Sequence, residues 1–146
     1  GLKIAFYGGK PEVIEKIIAR AKIDFPSLEI SYAHSPPFRP LTDIEDAEAV
    51  EKINSSGTQI LFVGLGCPKG ERWMAEHRDR IDAVMLGVGA AFDFYAGTLS
   101  EAPQWMRKSG LEWLFRLSSE PSRLWKRYLY TNSRFMLLAA RQRKKS

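Results

Sequence analysis

Cysteine is almost absent from this sequence, and so is any apolar run long enough to cross a lipid bilayer. Cys67 is the single cysteine among 146 residues, which excludes an intrachain disulfide and is typical of a reducing compartment. The longest apolar run, residues 83–92, contains two glycines and is far shorter than the roughly 20 residues of a membrane-spanning helix. No signal-peptide pattern opens the chain. We therefore expect a cytoplasmic protein that does not span the membrane.

Histidine is equally scarce, and this limits the chemistry that the chain can perform. His34 and His77 are far apart in the sequence and have no partner at metal-ligand spacing, so we expect no metal site. Both are interpreted as surface or hydrogen-bonded residues. No Ser/His/Asp or Cys/His pattern of nucleophilic catalysis is present, and Cys67 is interpreted as a small packed residue in an apolar turn.

Acidic residues nearly disappear from the last third of the chain. From Gln104 onward only Glu112 and Glu120 are acidic, whereas 11 side chains are basic, and the preceding part of the chain is slightly acidic.

Proline is well accommodated in the first turn of a helix, so we expect residues 121–143 to form one long helix that starts at Pro121. At about 100° per residue, four arginines of this helix fall within an arc of about 40°. They are Arg123, Arg127, Arg134 and Arg141.

These four arginines, the arginine ridge, run beside an apolar stripe of the same predicted helix. The stripe consists of Leu124, Tyr128, Phe135 and Leu138. A guanidinium group pairs with oxyanions, so the ridge suits phosphates or the headgroups of an anionic membrane surface. An ordinary solvated face is the alternative, and it stays open. No recognisable nucleic-acid-binding motif accompanies the basic residues, so nucleic acid is not expected as a partner.

The remaining sequence alternates short apolar runs with helical patterns. Strands are predicted at residues 2–7, 28–33, 59–63 and 83–86. Helices are predicted from Pro11, from an N-cap at Thr42 with Glu45 completing a capping box, and from about Gly70 past His77. This order predicts an α/β fold, a Rossmann-like, mostly parallel sheet with helices on both faces. We divide the chain into this domain, residues 1–103, and a basic helical appendage, residues 104–146.

Three predicted strands end in glycine turns. The turns are Gly8-Gly9, Gly64-Leu65-Gly66 and Gly87-Val88-Gly89. Glycine lets a ligand approach the backbone, and a helix N-terminus behind the turn favours a phosphate group. In parallel sheets, ligands bind at the carboxyl ends of strands. The alternative is that these are only tight turns. No turn matches the complete dinucleotide or P-loop pattern, so neither NAD nor ATP is favoured.

Two charged residues accompany the glycine turns. Asp93 lies among aromatic and small residues, where its carboxylate could accept hydrogen bonds from a ribose or could cap a following turn. Lys69 follows Pro68 and either pairs with a phosphate or projects into solvent. Both alternatives stay open for each residue.

Several ordered motifs resemble the WecG/TagA/CpsF family of glycosyltransferases. They are ILFVGLGCPKGERW at residues 60–73, GVGAAFDF at residues 87–94, Ala96-Gly97, Ala102-Pro103, GLEWLFR at residues 110–116, EPSR at residues 120–123 and Arg127-Tyr128. The resemblance extends from Lys3 to about Phe135. It implies transfer of a hexosamine-type sugar, such as N-acetylmannosamine, from a UDP-sugar to a polyprenyl-diphosphate-linked acceptor in cell-surface polysaccharide synthesis, without an obligatory metal or other cofactor.

The resemblance also implies roles for individual residues. It assigns nucleotide contacts to Gly64, Gly66, Pro68, Lys69, Gly87, Gly89 and Asp93. It assigns Arg116 and Arg123 to the catalytic groups that contact the acceptor or the diphosphate. It assigns contacts with the acceptor or the membrane to Arg127, Arg134 and Arg141. The protein is then expected to be peripheral on the inner face of the cell membrane, and an oligomer is compatible with the sequence.

This sequence departs from the family pattern in two places. The family's N-terminal region, with its proposed catalytic aspartate, has no counterpart before Gly1, which leaves the catalytic competence of the isolated chain open. The family's Pro-Lys-Gln-Glu motif reads Pro68-Lys69-Gly70-Glu71 here, so an amide expected near the sugar is absent. A non-catalytic nucleotide-binding or membrane-docking module is the alternative function.

Overall fold

The chain forms two compact units, Gly1–Ser100 and Glu101–Ser146. The computed structural model of the protein describes residues 1–119, 121–122, 124–125, 129–130 and 134. The division of the sequence at residues 103 and 104 into separate domains stays a prediction.

The first unit is an α/β structure built on four parallel strands. Its elements are β1 (Lys3–Gly8), α1 (Pro11–Asp24), β2 (Glu29–His34), α2 (Asp43–Ser55), β3 (Ile60–Gly64), α3 (Lys69–His77), β4 (Val84–Gly87) and α4 (Ala91–Tyr95). The strand order is β2-β1-β3-β4, and every neighbouring pair is parallel. The predicted Rossmann-like, mostly parallel sheet is confirmed.

Local sequence rules account for the helix starts. Pro11 occupies the first turn of α1, where its missing N–H costs no hydrogen bond. At α2 the predicted capping box is present: Glu45 N donates to Thr42 Oγ1 at 3.3 Å, and Thr42 N donates to Glu45 Oε2 at 2.9 Å. Helix α3 begins at Lys69, one residue before the expected start, and ends at His77 rather than beyond it.

Strand β1 divides the core into two layers because alternate side chains point to opposite faces of the sheet. Ile4 and Phe6 pack with residues of α1 and with Phe92 of α4. Ala5 and Tyr7 pack on the other face with residues of α2 and α3, including Trp73. Helices therefore cover both faces of the sheet, as the alternation of strands and helices predicts.

The second unit is helical. It contains α5 (Gln104–Lys108) and α6 (Glu112–Ser119), joined through a turn in which Gly110 has a φ of 70°. The described positions 121–122, 124–125, 129–130 and 134 are also helical. The other residues of the helix expected over 121–143, including Arg123, Arg127 and Arg141, lie outside the described residues. Within the described part of the chain, no helix is both long and apolar enough to cross a membrane.

Candidate functional site

The strand order places the three glycine turns side by side at the carboxyl edge of the sheet. Gly8 at the end of β1 is in register with Gly64 at the end of β3, and Val63 is in register with Gly87 of β4. After β1 the chain forms β2 on one side of β1, and it then crosses to form β3 on the other side of β1. The connections diverge between β1 and β3, and ligands of open α/β sheets bind in the crevice at such a point.

Two glycines at this edge are required by packing. A Cβ on Gly8 would lie 2.6 Å from the carbonyl carbon of Gly64, and the φ of Gly8 is 112°, which disfavours other residues. A Cβ on Gly64 would lie 2.2 Å from a ring carbon of Phe92. The absence of side chains lets β1, β3 and α4 approach closely. A nucleotide contact at Gly64 stays a prediction, and the structure gives this glycine a packing role as well.

Gly66 and Gly89 differ from these two glycines. Both have a positive φ, 78° and 50°, and among the described residues no atom beyond the two chain neighbours lies within 4 Å of a Cβ built on either glycine. Their backbone is thus open to close approach from outside, which a phosphate or sugar group requires. At Gly87 the space for a side chain is intermediate. Among the described residues, a Cβ there would meet the flexible end of Met74, at 2.8 Å, and no backbone atom.

The turn after β3 leads directly into α3. Its Cys67–Pro68 peptide bond is cis, Pro68 is the N-cap residue, and Gly70 N donates to Gly66 O at 2.7 Å. Lys69 is the first residue of the helix and borders a cavity on the α2/α3 face. Cys67 is exposed, so the interpretation of this residue as packed is wrong. The compact turn leaves its side chain outside the core.

Asp93 lies in the first turn of α4, where its backbone and side chain both organise the segment that follows. Its carbonyl accepts from Thr98 N at 2.9 Å, and its carboxylate accepts from Thr98 Oγ1 at 3.3 Å. Asp93 therefore caps the turn that follows α4, which is one of the two roles expected for it. An ionised carboxylate has about four acceptor positions, so one hydrogen bond leaves capacity for a ligand hydroxyl.

Helix α4 is attached firmly to α1 by polar contacts. Tyr95 Oη donates to Asp24 Oδ2 at 2.9 Å, and Arg20 Nη1 donates to the carbonyl of Tyr95 at 3.0 Å. The Arg20 guanidinium also lies 4.9 Å from the centre of the Tyr95 ring. These contacts hold the helix that carries Asp93.

Sequence reasoning missed an aromatic stack beside the turn after β3. The rings of Tyr7 and Trp73 are stacked with centroids 4.6 Å apart, and those of Trp73 and His77 with centroids 4.2 Å apart. The spacing of Trp73 and His77, four residues apart on one helix, indicates a shared face. Their juxtaposition with Tyr7 depends on how β1 and α3 pack, and no local pattern shows it.

His77 is buried and hydrogen-bonded, which confirms one of the two alternatives expected for it. Its Nδ1 donates to the carbonyl of Trp73 at 2.7 Å, and its Nε2 lies 2.9 Å from Asp46 Oδ1. Arg80 Nη1 donates to Asp46 Oδ2 at 2.7 Å. Burial raises the pKa of Asp46, but the hydrogen bonds from Arg80 and His77 outweigh it and leave the pKa below its usual value. The cluster joins α2 to α3.

Two polar atoms of the stack lack hydrogen-bond partners. Among the described residues, none forms a hydrogen bond with Tyr7 Oη or Trp73 Nε1, and both atoms are buried. Burial raises the pKa of Tyr7 well above its ordinary value, and Tyr32 and Asp46 act in the same direction. A buried polar group without a partner costs about 1–3 kcal/mol, so these two atoms lower the stability of this region.

The predicted catalytic and membrane arginines belong to the second unit. Arg116 Nη2 lies 3.2 Å from Glu112 Oε1, one helical turn earlier in α6. Arg134 is exposed and its Nη1 donates to Tyr130 Oη at 3.4 Å. Arg123, Arg127 and Arg141 lie outside the described residues. Within the described residues of both units, no group of three or more His, Cys, Asp or Glu side chains could hold a metal ion.

The parallel sheet, its two helical layers and the glycine turns at one edge define a Rossmann-like α/β protein. A family model described as the glycosyl transferase WecG/TagA/CpsF family matches residues 1–146, the whole chain. The chain therefore belongs to this glycosyltransferase family.

Proposed function

We propose that the chain binds the donor in a glycosyltransferase that uses a UDP-sugar. The sugar is of the hexosamine type, such as N-acetylmannosamine, and the acceptor is a lipid-diphosphate-linked saccharide of cell-surface polysaccharide synthesis. One observation carries the proposal: three glycine turns meet at the carboxyl edge, and two of them, at Gly66 and Gly89, are open to close approach.

The first unit supplies the nucleotide contacts in this proposal. The backbone of the turns at Gly64, Gly66, Gly87 and Gly89 faces the nucleotide, and Pro68 shapes the start of α3. Lys69 pairs with the diphosphate, whose negative charge the N-terminus of α3 also favours. Asp93 accepts hydrogen bonds from the ribose hydroxyls.

The second unit supplies positive charge. We assign Arg116 and Arg123 to the departing UDP, where guanidinium groups stabilise the charge that develops on the β-phosphate. A bound metal ion often performs this task, and arginines that perform it make an obligatory metal unnecessary. Arg127, Arg134 and Arg141 then contact the acceptor diphosphate or an anionic membrane surface.

We further infer that the protein is peripheral on the inner face of the cell membrane. The second unit combines basic residues with exposed tryptophans, since Trp105 and Trp125 are 62% and 49% exposed. Tryptophan favours the boundary between water and lipid, and each basic residue near an anionic surface adds about 1 kcal/mol of attraction. The same features would suit a non-catalytic membrane-docking module.

Calorimetric titration with UDP tests the nucleotide site. Gly89→Val places a branched side chain where the backbone is open and φ is positive, so we expect UDP affinity to fall at least tenfold. Gly57→Val is the matched control, because Gly57 has a φ of 69° but precedes β3 at the opposite edge of the sheet. We expect this control to lose stability and to retain UDP affinity.

Equal UDP affinity of wild type and Gly89→Val, or no binding by the wild type, would contradict the proposal. Saturable binding that Gly89→Val removes and Gly57→Val preserves would also exclude a module that only docks on membranes. Transfer of the sugar to a lipid-linked acceptor then separates a catalyst from a non-catalytic binding module.

A further inference from the structure

Helix α4 is too short to maintain its own geometry. It spans five residues, Ala91–Tyr95, and Asp93 lies at its centre. Isolated helices shorter than about 12–15 residues are marginal in water, so the conformation of α4 depends on contacts with other elements of the first unit. A side chain that holds α4 in place therefore also determines where the Asp93 carboxylate lies.

The first such contact is apolar and lies on the N-terminal side of Asp93. Phe92 is buried, and its ring packs edge to face against the ring of Phe6, with centroids 5.8 Å apart. The close approach of Phe92 to Gly64 brings α4 against the end of β3. Because the hydrophobic effect is non-directional, this contact restricts the orientation of the helix less than hydrogen bonds do.

The second contact is a closed ring of three hydrogen bonds on the C-terminal side of Asp93. Tyr95 Oη donates to Asp24 Oδ2 at 2.9 Å, and Arg20 Nε donates to the same oxygen at 3.2 Å. Arg20 Nη1 donates to the carbonyl of Tyr95 at 3.0 Å and completes the ring. We call Arg20, Asp24 and Tyr95 the Tyr95 clamp. It holds Tyr95 by its side chain and by its backbone.

The Tyr95 clamp restricts rotation of α4. Two of its hydrogen bonds meet at one oxygen of Asp24 and the third reaches the helix backbone, so a turn of α4 about its axis would lengthen at least one of them. Carbonyl groups of the last helical turn lack partners within their own helix, so Arg20 also caps the end of α4. Asp93 is thus held between Phe92, one residue before it, and Tyr95, two residues after it.

We propose that Arg20, Asp24 and Tyr95 are positioning residues that orient the Asp93 carboxylate toward the ribose of the bound nucleotide. The inference rests on the proposed function, in which Asp93 accepts hydrogen bonds from the ribose hydroxyls. The Tyr95 clamp contains none of the residues that we assign to the nucleotide. Its loss therefore weakens the contact of Asp93 and leaves the contacts of the diphosphate in place.

The isosteric substitution Tyr95→Phe tests this assignment by calorimetric titration. It removes the hydroxyl that donates to Asp24. We expect the Kd for UDP to rise roughly two- to tenfold, the effect of one hydrogen bond. The Kd for dideoxy-UDP, which lacks both ribose hydroxyls, should be unchanged, whereas a general structural defect would weaken the binding of both ligands. Tyr32→Phe is the matched control, because Tyr32 packs on the opposite face of the sheet. We expect this control to bind both ligands like the wild type.

A double-mutant cycle tests whether the clamp acts through Asp93. Asp93→Ala removes the carboxylate and should by itself weaken UDP binding. Adding Tyr95→Phe to this variant should then leave the Kd for UDP unchanged, because the group that the clamp orients is gone. Residues that act independently would instead show additive effects on the free energy of binding.

Asp24 offers a second pair of variants that does not depend on Tyr95→Phe. Asp24→Ala removes the acceptor shared by Arg20 and Tyr95, whereas Asp24→Asn keeps one oxygen that can accept a hydrogen bond. We expect the asparagine variant to bind UDP more tightly than the alanine variant, and both to bind dideoxy-UDP equally. The melting temperature of each variant, measured alongside, shows that it is folded at the temperature of the titration.

The outcomes that would overturn the assignment are distinguishable from a failure of the proposed function. Equal UDP affinity of the wild type and Tyr95→Phe removes the positioning role and leaves UDP binding at the glycine turns intact. An equal loss of affinity for UDP and dideoxy-UDP, or additive effects in the cycle, makes the clamp a general stabiliser of the first unit. A wild type that binds neither ligand contradicts the proposed function, and the role of the clamp with it.

Discussion

The two units of the chain differ in charge and in how they use their aromatic residues. Residues 1–100 contain 11 basic and 14 acidic side chains, whereas residues 101–146 contain 11 basic and three acidic ones. In the first unit Phe6, Tyr7, Trp73 and Phe92 are buried in the core, while Phe25 and Phe38 are exposed. In the second unit Trp105, Trp113 and Trp125 remain 46–62% exposed.

In the function that we propose, this difference separates the tasks of the two units. The first unit gains its stability from a packed core, and the same packing fixes the turns, the aromatic stack and the cavity. The second unit carries the excess positive charge, which acts on anionic partners over a Debye length of about 8 Å at physiological ionic strength. We therefore expect mutations to alter the proposed recognition of the donor and the proposed attraction to a charged surface independently.

The largest predicted effect is a loss of stability, which we compare between one glycine of each unit. Gly8→Ala adds a Cβ that would lie 2.6 Å from the backbone of Gly64, whereas a Cβ on Gly110 would meet no atom of the described part of the chain within 4 Å, apart from its chain neighbours. We expect Gly8→Ala to lower the free energy of unfolding by about 4 kcal/mol, through overpacking and backbone strain. Gly110→Ala, with strain alone, should cost about 1 kcal/mol. Urea denaturation measures both, and equal losses would contradict the packing role of Gly8.

Membrane attraction should depend on the second unit alone. Replacing Arg127, Arg134 and Arg141 by glutamate removes three bases, each contributing about 1 kcal/mol near an anionic surface, so we expect at least a hundredfold weaker vesicle binding. The matched control reverses three exposed lysines of the first unit, Lys10, Lys16 and Lys22. Co-sedimentation with anionic vesicles at two salt concentrations gives the comparison. If both triple variants pellet like the wild type, the arginine ridge does not dock on membranes.

A smaller effect is expected when an amide is introduced at the start of α3. A Cβ on Gly70 would make ordinary contacts, the nearest being 3.7 Å from Leu65, so the first atom of a glutamine side chain is accommodated. We expect Gly70→Gln to raise UDP-sugar affinity a few-fold to about tenfold, the effect of one hydrogen bond of roughly 0.5–1.5 kcal/mol, with little change for UDP. Gly70→Ala controls for helix propensity. An unchanged UDP-sugar affinity in the glutamine variant would make Gly70 simply a turn residue.

The smallest predicted effect is a pH dependence at the start of α2. Hydrogen bonds from Arg39 and from the backbone of Thr42 lower the pKa of Glu45 to about 2. A carboxylate with a lowered pKa stabilises the fold above its unfolded pKa of about 4.5, and this contribution is lost as the pH falls toward 2. Glu45→Gln should therefore destabilise the protein at pH 6 and make no difference near pH 2. The effect is small because the Arg39–Glu45 pair is exposed.

Urea unfolding at pH 6, 4 and 2 measures the pH dependence of wild type and Glu45→Gln. Glu112→Gln in the second unit is the comparison, since it removes one ion pair with Arg116 and no capping box. A stability difference between wild type and Glu45→Gln that stays constant from pH 6 to pH 2 would contradict the role given to Arg39 and Thr42.

The features that could be predicted are those that depend on residues close together in the sequence. The capping box of Thr42 and Glu45, the start of α1 at Pro11 and the alternation that builds a parallel sheet all follow from local patterns. The packing role of Gly64 could not be predicted, because it depends on Phe92 crossing from α4. The stack of Tyr7 on Trp73 and the exposure of Cys67 likewise depend on tertiary packing, which one sequence does not display.

The most direct test of the account is a ¹H–¹⁵N titration of the chain with UDP. We expect saturable shifts for the amides of Gly66, Lys69 and Gly89 at the carboxyl edge, and none for Gly57 at the opposite edge. The amides of Gly66 and Gly89 report on the carboxyl edge of the sheet, and the amide of Gly57 reports on the opposite edge. Shifts confined to residues 101–146 or to the Gly57 edge, or no saturable shift at all, would contradict the claim that the first unit binds the nucleotide.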